Sequence, residues 1–317
     1  MNPIAFTIFG RAVYWYGIII SVALVLGIWL ALRNAKKRGI QADHMMDLVV
    51  LAVPLAIVGA RLVYVMGTWS EFAGRPFWHV FAVWEGGLAI FGAVLGGALG
   101  VWLFCRWRKY SFLQMADIAV ISLILGQALG RWGNFFNQEV YGFAVQNVRG
   151  IIGGQLALWP PAVPITSITG ITTWHLALFL IECVLNLGLF GLLLSMNRKK
   201  RPLGVLFFTY ITGYGLIRVV LESFRDPLYV ERIGTLRLNH CIAALFLVGG
   251  VAGLLWTYMK TRRMEPALAS PEGEAQPFEA PLYEAVDGEP QADEPPCDEP
   301  GCCEGQCDVC PAPDSEE

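Results

Sequence analysis

Apolar positions in this chain come in runs of about twenty, long enough to cross the hydrocarbon core of a bilayer as a helix. Seven such runs predict seven spans: Ala12 to Leu32, Leu48 to Met66, Phe81 to Phe104, Ser111 to Leu129, Ile171 to Ser195, Leu203 to Leu221 and Cys241 to Tyr258. The polar segments between them sort by charge. RNAKKR (Arg33 to Arg38), CRWRK (Cys105 to Lys109), NRKKR (Asn197 to Arg201) and KTRR (Lys260 to Arg263) follow the first, third, fifth and seventh runs. All four fall on one side, which the excess of Lys and Arg marks as cytoplasmic. The N-terminus then lies outside and the C-terminus in the cytoplasm. The first run has its basic cluster behind it and none before it, so it reads as a span and not as a cleaved signal peptide. Between the fourth and fifth runs, Gly130 to Gly170 is polar and broken by WPPAVP (Trp159 to Pro164), which predicts a small external head. The predicted fold class is all-α: a polytopic membrane protein with seven transmembrane helices.

Composition changes this picture only at one end. The chain is 55% apolar with a mean hydropathy of +0.51, outside the usual soluble range. From Met264 onward there is no Lys or Arg and there are sixteen Asp or Glu, many of them among prolines. The chain therefore divides into a membrane body, residues 1–263, and an acidic tail, residues 264–317, predicted to be disordered and cytoplasmic. The body keeps ten acids against twenty-three bases, about thirteen positive charges, which suits it to anionic lipids. Five of the eight cysteines fall in the tail, at Cys297, Cys302, Cys303, Cys307 and Cys310. Cytoplasmic disulfides rarely persist, and this spacing matches no standard zinc knuckle, so an accessory thiol tail without a metal is expected, with a metal clip on Cys307, Cys310 and two others as the alternative.

Ionisable residues within spans are rare enough to be read as functional. Arg61, Glu85, Arg131, Arg218 and Glu222 all fall in the outer half of the predicted bundle, with Asp117 and Glu182 as exceptions. A polar cavity open to the outer side is the expectation. Tyr214, Arg218, Glu222 and Arg225 are spaced four, four and three, which places them on one helical face. Arg61, Arg131, Arg218 and Arg225 outnumber Glu139 and Glu222, so the cavity is expected to hold an anion in the two-pronged grip of a guanidinium. At that depth the abundant anion is a lipid phosphate.

The stretch GRWGNFFNQEVYG gives the chain a family. It resembles the signature of the prolipoprotein diacylglyceryl transferases, G-R-x-G-N-[FY]-x-N-x-E-x-[YWF]-G, met here by Gly130, Arg131, Gly133, Asn134, Phe135, Asn137, Glu139, Tyr141 and Gly142. YWYG (Tyr14 to Gly17), GARLVYV (Gly59 to Val65), WEGGLAIFG (Trp84 to Gly92) and GYGLIRVVLESFRDP (Gly213 to Pro227) flank it in the family's order. The resemblance covers the membrane body and leaves out the tail. It implies a bacterial plasma-membrane enzyme that moves the diacylglyceryl group of phosphatidylglycerol onto the lipobox cysteine thiol of a preprolipoprotein. A thioether forms and glycerol phosphate leaves, with no cofactor, metal or nucleic acid involved. Arg131, Arg218, Glu139 and Glu222 take catalytic roles under this resemblance. Arg131, Asn134, Asn137, Gly142, Tyr16, Arg61, Tyr214 and Arg225 take substrate-binding roles.

Two positions depart from the family pattern. Many members carry a histidine in the third span where this chain has Phe91, and phenylalanine accepts no proton. The fifth span usually opens with H-P-[ST]-x-L-Y-E, whereas TTWHLALF (Thr172 to Phe179) stands here and only His175 offers a shifted substitute. These losses keep two other readings in view: a paralogue with altered or lost catalysis, and a lipid or anion transporter. A transporter should show internal repeats or paired broken helices, and the sequence shows neither.

Overall fold

The computed structural model describes residues 2–8, 10–166, 170–226, 232–233 and 236–268. The tail cysteines lie outside the described residues. The helices are α1 (Trp15–Lys37), α2 (Ala42–Gly67), α3 (Trp69–Phe72, a single turn), α4 (Ile90–Arg108), α5 (Phe112–Asn137), α6 (Leu178–Met196), α7 (Val205–Glu222) and α8 (Leu238–Leu268). All but α3 are long and apolar enough to span a membrane, so the molecule is a multi-pass membrane protein, mostly helical, with seven spans. Its outward faces agree: Val25, Val50, Leu95, Leu245 and Val248 are each 66 to 69% exposed. Such a continuous apolar surface is stable only when lipid covers it.

Several helix boundaries differ from the sequence-based spans, and the first three differences below matter for the site. Helix α5 runs through Asn137, so GRWGNFFN forms its last two turns where a span end at Leu129 was expected. The third span begins at Ile90, not Phe81, because Phe77–Phe81 and Val83–Glu85 coil into short 3-10 turns. The fifth begins at Leu178, not Ile171, because Thr172–Leu176 is extended and paired in a sheet. The seventh helix continues to Leu268, five residues past the boundary placed after Arg263.

Short strands add to the helical frame. β1 (Ile4–Ile8) and β2 (Arg11–Tyr14) form a hairpin ahead of α1. The segment between α5 and α6 carries a four-stranded antiparallel sheet of β3 (Arg149–Ile152), β4 (Leu156–Trp159), β5 (Pro161–Thr166) and β6 (Thr172–Leu176), ordered as in sequence. Val163, Ala177 and Phe179 pack against Trp132, Phe135 and Tyr141, which seats this sheet on the last turns of α5. β7 (Arg232–Ile233) pairs with β8 (Leu236–Arg237) before α8.

Packing within the bundle depends on small residues. Helices α2 and α4 touch backbone to backbone: a Cβ added at Gly92 would lie 2.7 Å from the Gly59 carbonyl carbon, and one at Gly96 2.8 Å from that of Leu55. In lipid, where apolar faces gain little from mutual burial, such close approach supplies the contact that holds two helices together.

A polar knot ties the bundle at the end that carries the basic loops. The buried Asp117 carboxylate accepts the backbone N–H groups of Gly204 (2.9 Å) and Phe207 (2.8 Å), the open first turn of α7, and lies 3.7 Å from Arg38 Nη1. Arg38 Nη2 donates to Asn197 Oδ1 (2.9 Å), and Asn197 Nδ2 donates to Asn34 Oδ1 (3.1 Å). Asp117 is therefore a structural group that caps α7 and joins it to α1 and α5. Asp117→Ala orphans two amides and removes the counter-ion of Arg38. It is expected to lower stability by about 3 kcal/mol, read as an earlier thermal melt in detergent, with Asp117→Asn intermediate.

Candidate active site

At the opposite end of the bundle the last turns of α5, the first turns of α6 and the last turns of α7 converge on a ladder of alternating charges. Arg131 comes from α5, Glu182 from α6, and Arg218 and Glu222 from α7, with Arg225 just beyond. Arg131 Nη2 lies 2.8 Å from Glu182 Oε1, and Arg218 Nη1 lies 3.3 Å from Glu182 Oε2. Arg218 Nη2 reaches Glu222 Oε2 at 3.2 Å, and Arg225 Nη1 reaches Glu222 Oε1 at 3.5 Å. The Arg131–Glu182 contact is an ion pair without hydrogen-bond alignment, since Glu182 Oε1 has no hydrogen-bonding donor. Both glutamate side chains are 2% exposed, whereas the three arginine side chains are 18 to 19% exposed. The carboxylates are thus buried while the arginine side chains keep some exposure, so the cations are the reachable members of the ladder.

Glu182 is the residue that the sequence reading missed. A span starting at Ile171 places it mid-membrane, away from the other charges. With α6 starting at Leu178, Glu182 sits in the second turn of the helix, level with Arg131 and Arg218. Its one carboxylate bridges both cations and so fixes the distance between them.

The signature stretch supplies the mouth. Arg131 Nη1 donates to Asn134 Oδ1 (3.3 Å), Asn134 Nδ2 donates to Glu139 Oε1 (3.0 Å), and Asn137 Nδ2 donates to the same oxygen (3.2 Å). The i,i+3 spacing of Arg131 and Asn134 on α5 makes the first of these bonds possible. Glu139 is exposed and is held by two amides, with no guanidinium on it among the described residues. Tyr16 of α1 lies within electrostatic reach of Glu139 and Arg131, its ring against Gly133, where a Cβ would overlap it. Tyr214 lies similarly near Arg131, Arg218 and Glu182, and its ring stacks on Tyr210 at 5.8 Å. The Tyr210 hydroxyl accepts from Gln127 Nε2 at 2.9 Å.

Other predicted residues take different positions. Arg61 was expected in the cavity, but it is 5% exposed and its guanidinium donates to the carbonyls of His79, Val80, Gly86 and Gly87 at 2.6 to 3.1 Å. It lies 5.2 Å from the Phe72 ring and 5.8 Å from that of Tyr64. Arg61 therefore anchors the segment between α2 and α4, and among the described residues it makes no contact with the ladder. The Gly142 amide is bonded to the Leu176 carbonyl (2.9 Å), and a Cβ there would come within 2.7 Å of the Phe224 carbonyl. Gly142 thus permits a three-way crossing of chain segments. His175 lies on β6 with Nδ1 3.0 Å from the Gly142 carbonyl oxygen and Nε2 2.9 Å from Thr173 Oγ1, so it pins the same crossing. Phe91 is in the first turn of α4, 39% exposed and without proton-accepting capacity.

The expected excess of arginine does not survive this geometry. With Arg61 removed and Glu182 added, three arginines face three carboxylates, counting Glu139. Selectivity for an anion then comes from which groups are reachable, not from net charge. Each guanidinium has five N–H donors, so those bonded to glutamate keep further donors for a phosphate.

The chain is also similar to known proteins. The family model of the prolipoprotein diacylglyceryl transferases matches residues 3–256. A phosphatidylglycerol-prolipoprotein diacylglyceryl transferase of Gloeobacter violaceus is 41% identical over 268 aligned residues, covering 83% of this chain and 96% of its own. Proteins of the same name from Oceanobacillus iheyensis and Synechocystis are 40% and 36% identical, covering 81% and 83% of this chain and 88% and 92% of theirs. A match over nearly the whole membrane body, joined to an arginine ladder built on the signature helix, means that the chain belongs to the prolipoprotein diacylglyceryl transferase family and is a transferase.

Proposed function

We propose that this protein transfers the diacylglyceryl group of phosphatidylglycerol to the lipobox cysteine thiol of a preprolipoprotein, as its relatives' names describe, in a bacterial plasma membrane with the ladder on the outer side. The observation that carries this reading is the pair Arg131 and Arg218, bridged by Glu182 and partly exposed. The cysteine sulfur attacks the glycerol carbon that bears the phosphate ester. The carbon–sulfur bond forms, the carbon–oxygen bond breaks, and the electron pair leaves on the phosphate oxygen of glycerol phosphate. A thiolate and a singly charged lipid become a neutral thioether and a dianion, so negative charge grows at the phosphate. Two preoriented guanidiniums there stabilise the transition state more than the ground state. Asn134 and Asn137 orient the head group from the signature helix, Tyr16, Tyr214 and Arg225 line the entrance, and the acidic tail takes no part.

Glu139 is the group best suited to take the thiol proton. Glu182 and Glu222 are buried and each engaged by two arginines, whereas Glu139 is exposed at the end of the signature helix and held only by amides, which leaves it within reach of an incoming thiol. Glu139→Gln keeps the hydrogen-bond acceptor but takes no proton. Lipidation of a lipobox peptide near pH 7 is expected to fall by about 10²-fold or more. The deficit should shrink as pH rises toward the free thiol's value near 8.5, where solution supplies the thiolate. A variant as fast as the parent at pH 7 would remove the assignment. The reading as a whole is tested by complementation of a strain depleted of its own transferase, scored by the mass shift of a lipoprotein. An adduct from Phe91→His but none from the intact protein would transfer support to the altered-paralogue reading.

A further inference from the structure

Helix α4 packs along α2 and barely touches α5, although only a three-residue turn separates α4 from α5. The two helices therefore diverge and leave a recess at the end that carries the basic loops, about 640 Å³ of open space lined by Trp102, Cys105, Arg106, Lys109, Tyr110 and Phe112. It lies some nineteen residues before Arg131 along α5, about 28 Å at 1.5 Å per residue, and so is remote from the ladder.

The lining has two chemical halves. Arg106 and Lys109 are exposed and make no ion pair or hydrogen bond among the described residues. Their neighbour Arg108 is bound to Asp47 at 2.5 Å and lies 4.5 Å from the Trp107 ring, so the turn's one paired cation is the one that does not line the recess. The other half is apolar: Trp102 is 50% exposed and Phe112 36% exposed, on the parts of α4 and α5 that continue into the lipid-facing spans. The rim is rigid. Tyr110 stacks on Phe104 with planes 6° apart, and its hydroxyl is 2.7 Å from His44 Nδ1.

We propose that this recess binds the head group of an anionic phospholipid, with the phosphate between Arg106 and Lys109 and the first acyl carbons along Trp102 and Phe112. Two unpaired cations above an apolar wall at a helix end match a phosphodiester joined to hydrocarbon. A free anion would use the cations and leave the exposed aromatic wall without a role. The site is separate from the catalytic one and does not depend on the proposed reaction.

The test uses the full chain, delipidated in detergent, titrated with phosphatidylglycerol or phosphatidylcholine and read by native mass spectrometry. Arg131→Ala is the background, so that head-group binding at the ladder is weakened. Phosphatidylglycerol is expected to bind and phosphatidylcholine to bind much more weakly. Arg106→Gln with Lys109→Gln should weaken phosphatidylglycerol about thirtyfold, at about five- to sixfold per cation. Trp102→Ala should weaken it by a smaller factor with both cations present. Both substitutions are at exposed positions, and a thermal melt confirms folding; should the double variant fail to fold, Arg106→Glu alone must produce the loss. Equal phosphatidylglycerol binding in parent and charge variants overturns the proposal. Competition by millimolar inorganic phosphate as strong as by the lipid overturns it in favour of a free-anion site.

Discussion

Arg131→Lys is expected to reduce diacylglyceryl transfer at least about a hundredfold while leaving the protein folded. The substitution keeps the positive charge and the length of the side chain, so a site that needed only a cation would tolerate it. Arg131 does two things at once in the structure, lying 2.8 Å from Glu182 and donating to Asn134 at 3.3 Å, and its 18% exposed side chain keeps further donors for a ligand. A single ammonium has three donors that diverge, and it cannot hold a carboxylate and an amide oxygen while gripping a phosphate with two parallel bonds. Asn134 in turn holds Glu139, so the loss extends to the proposed proton acceptor. The measurement is the initial rate of lipobox-peptide lipidation beside a thermal melt in detergent. A lysine variant with the parental rate would mean that Arg131 acts through charge alone and that the two-pronged grip is wrong.

The sequence made the frame of the molecule readable because the bilayer limits the choices. Runs near twenty apolar residues have one structural outcome in lipid, and the basic clusters after alternate runs checked their number. The signature was readable as chemistry because Arg131 and Asn134 recur at helical spacing. Glu182 was misplaced for a specific reason: β6, TTWHL, is itself half apolar and runs directly into α6, so strand and helix merge into one apolar stretch. A two-residue alternation over five residues is too short to register against the helix that follows. Arg61 failed differently. A buried arginine satisfied by four backbone carbonyls looks in sequence like one that awaits a ligand, because the accepting segment, residues 79–87, has no side-chain pattern that reveals where its carbonyls point. The sheet between α5 and α6 was anticipated only as a polar insertion, since four short strands that include Pro161 and Pro164 carry a weak strand signal.

Glu182→Gln is expected to bind the phosphate group more tightly and turn over more slowly. Glutamine has nearly the shape of glutamate and still offers one oxygen, but the three carboxylates facing three arginines become two, and the site gains a net positive charge. Arg131 and Arg218 are then released from their shared counter-ion. A phosphate in the ground state, whether on phosphatidylglycerol or on the departing glycerol phosphate, gains what the carboxylate gave up. Stabilisation that acts equally on ground and transition states raises affinity without raising the rate. Inhibition by glycerol phosphate should therefore strengthen at least about tenfold, since one unit of charge at close range is worth about 1 kcal/mol even in bulk water and more in a largely buried site, while kcat falls by a similar factor as product leaves more slowly. The ratio kcat/KM should move much less than either constant. A purely architectural glutamate predicts the opposite pattern: an earlier thermal melt, weaker inhibition and a parallel fall in kcat and kcat/KM. Steady-state kinetics on the full-length enzyme with glycerol phosphate as product inhibitor separates the two. Unchanged or weaker inhibition would show that Glu182 holds the helices together without setting how firmly the arginines hold a phosphate.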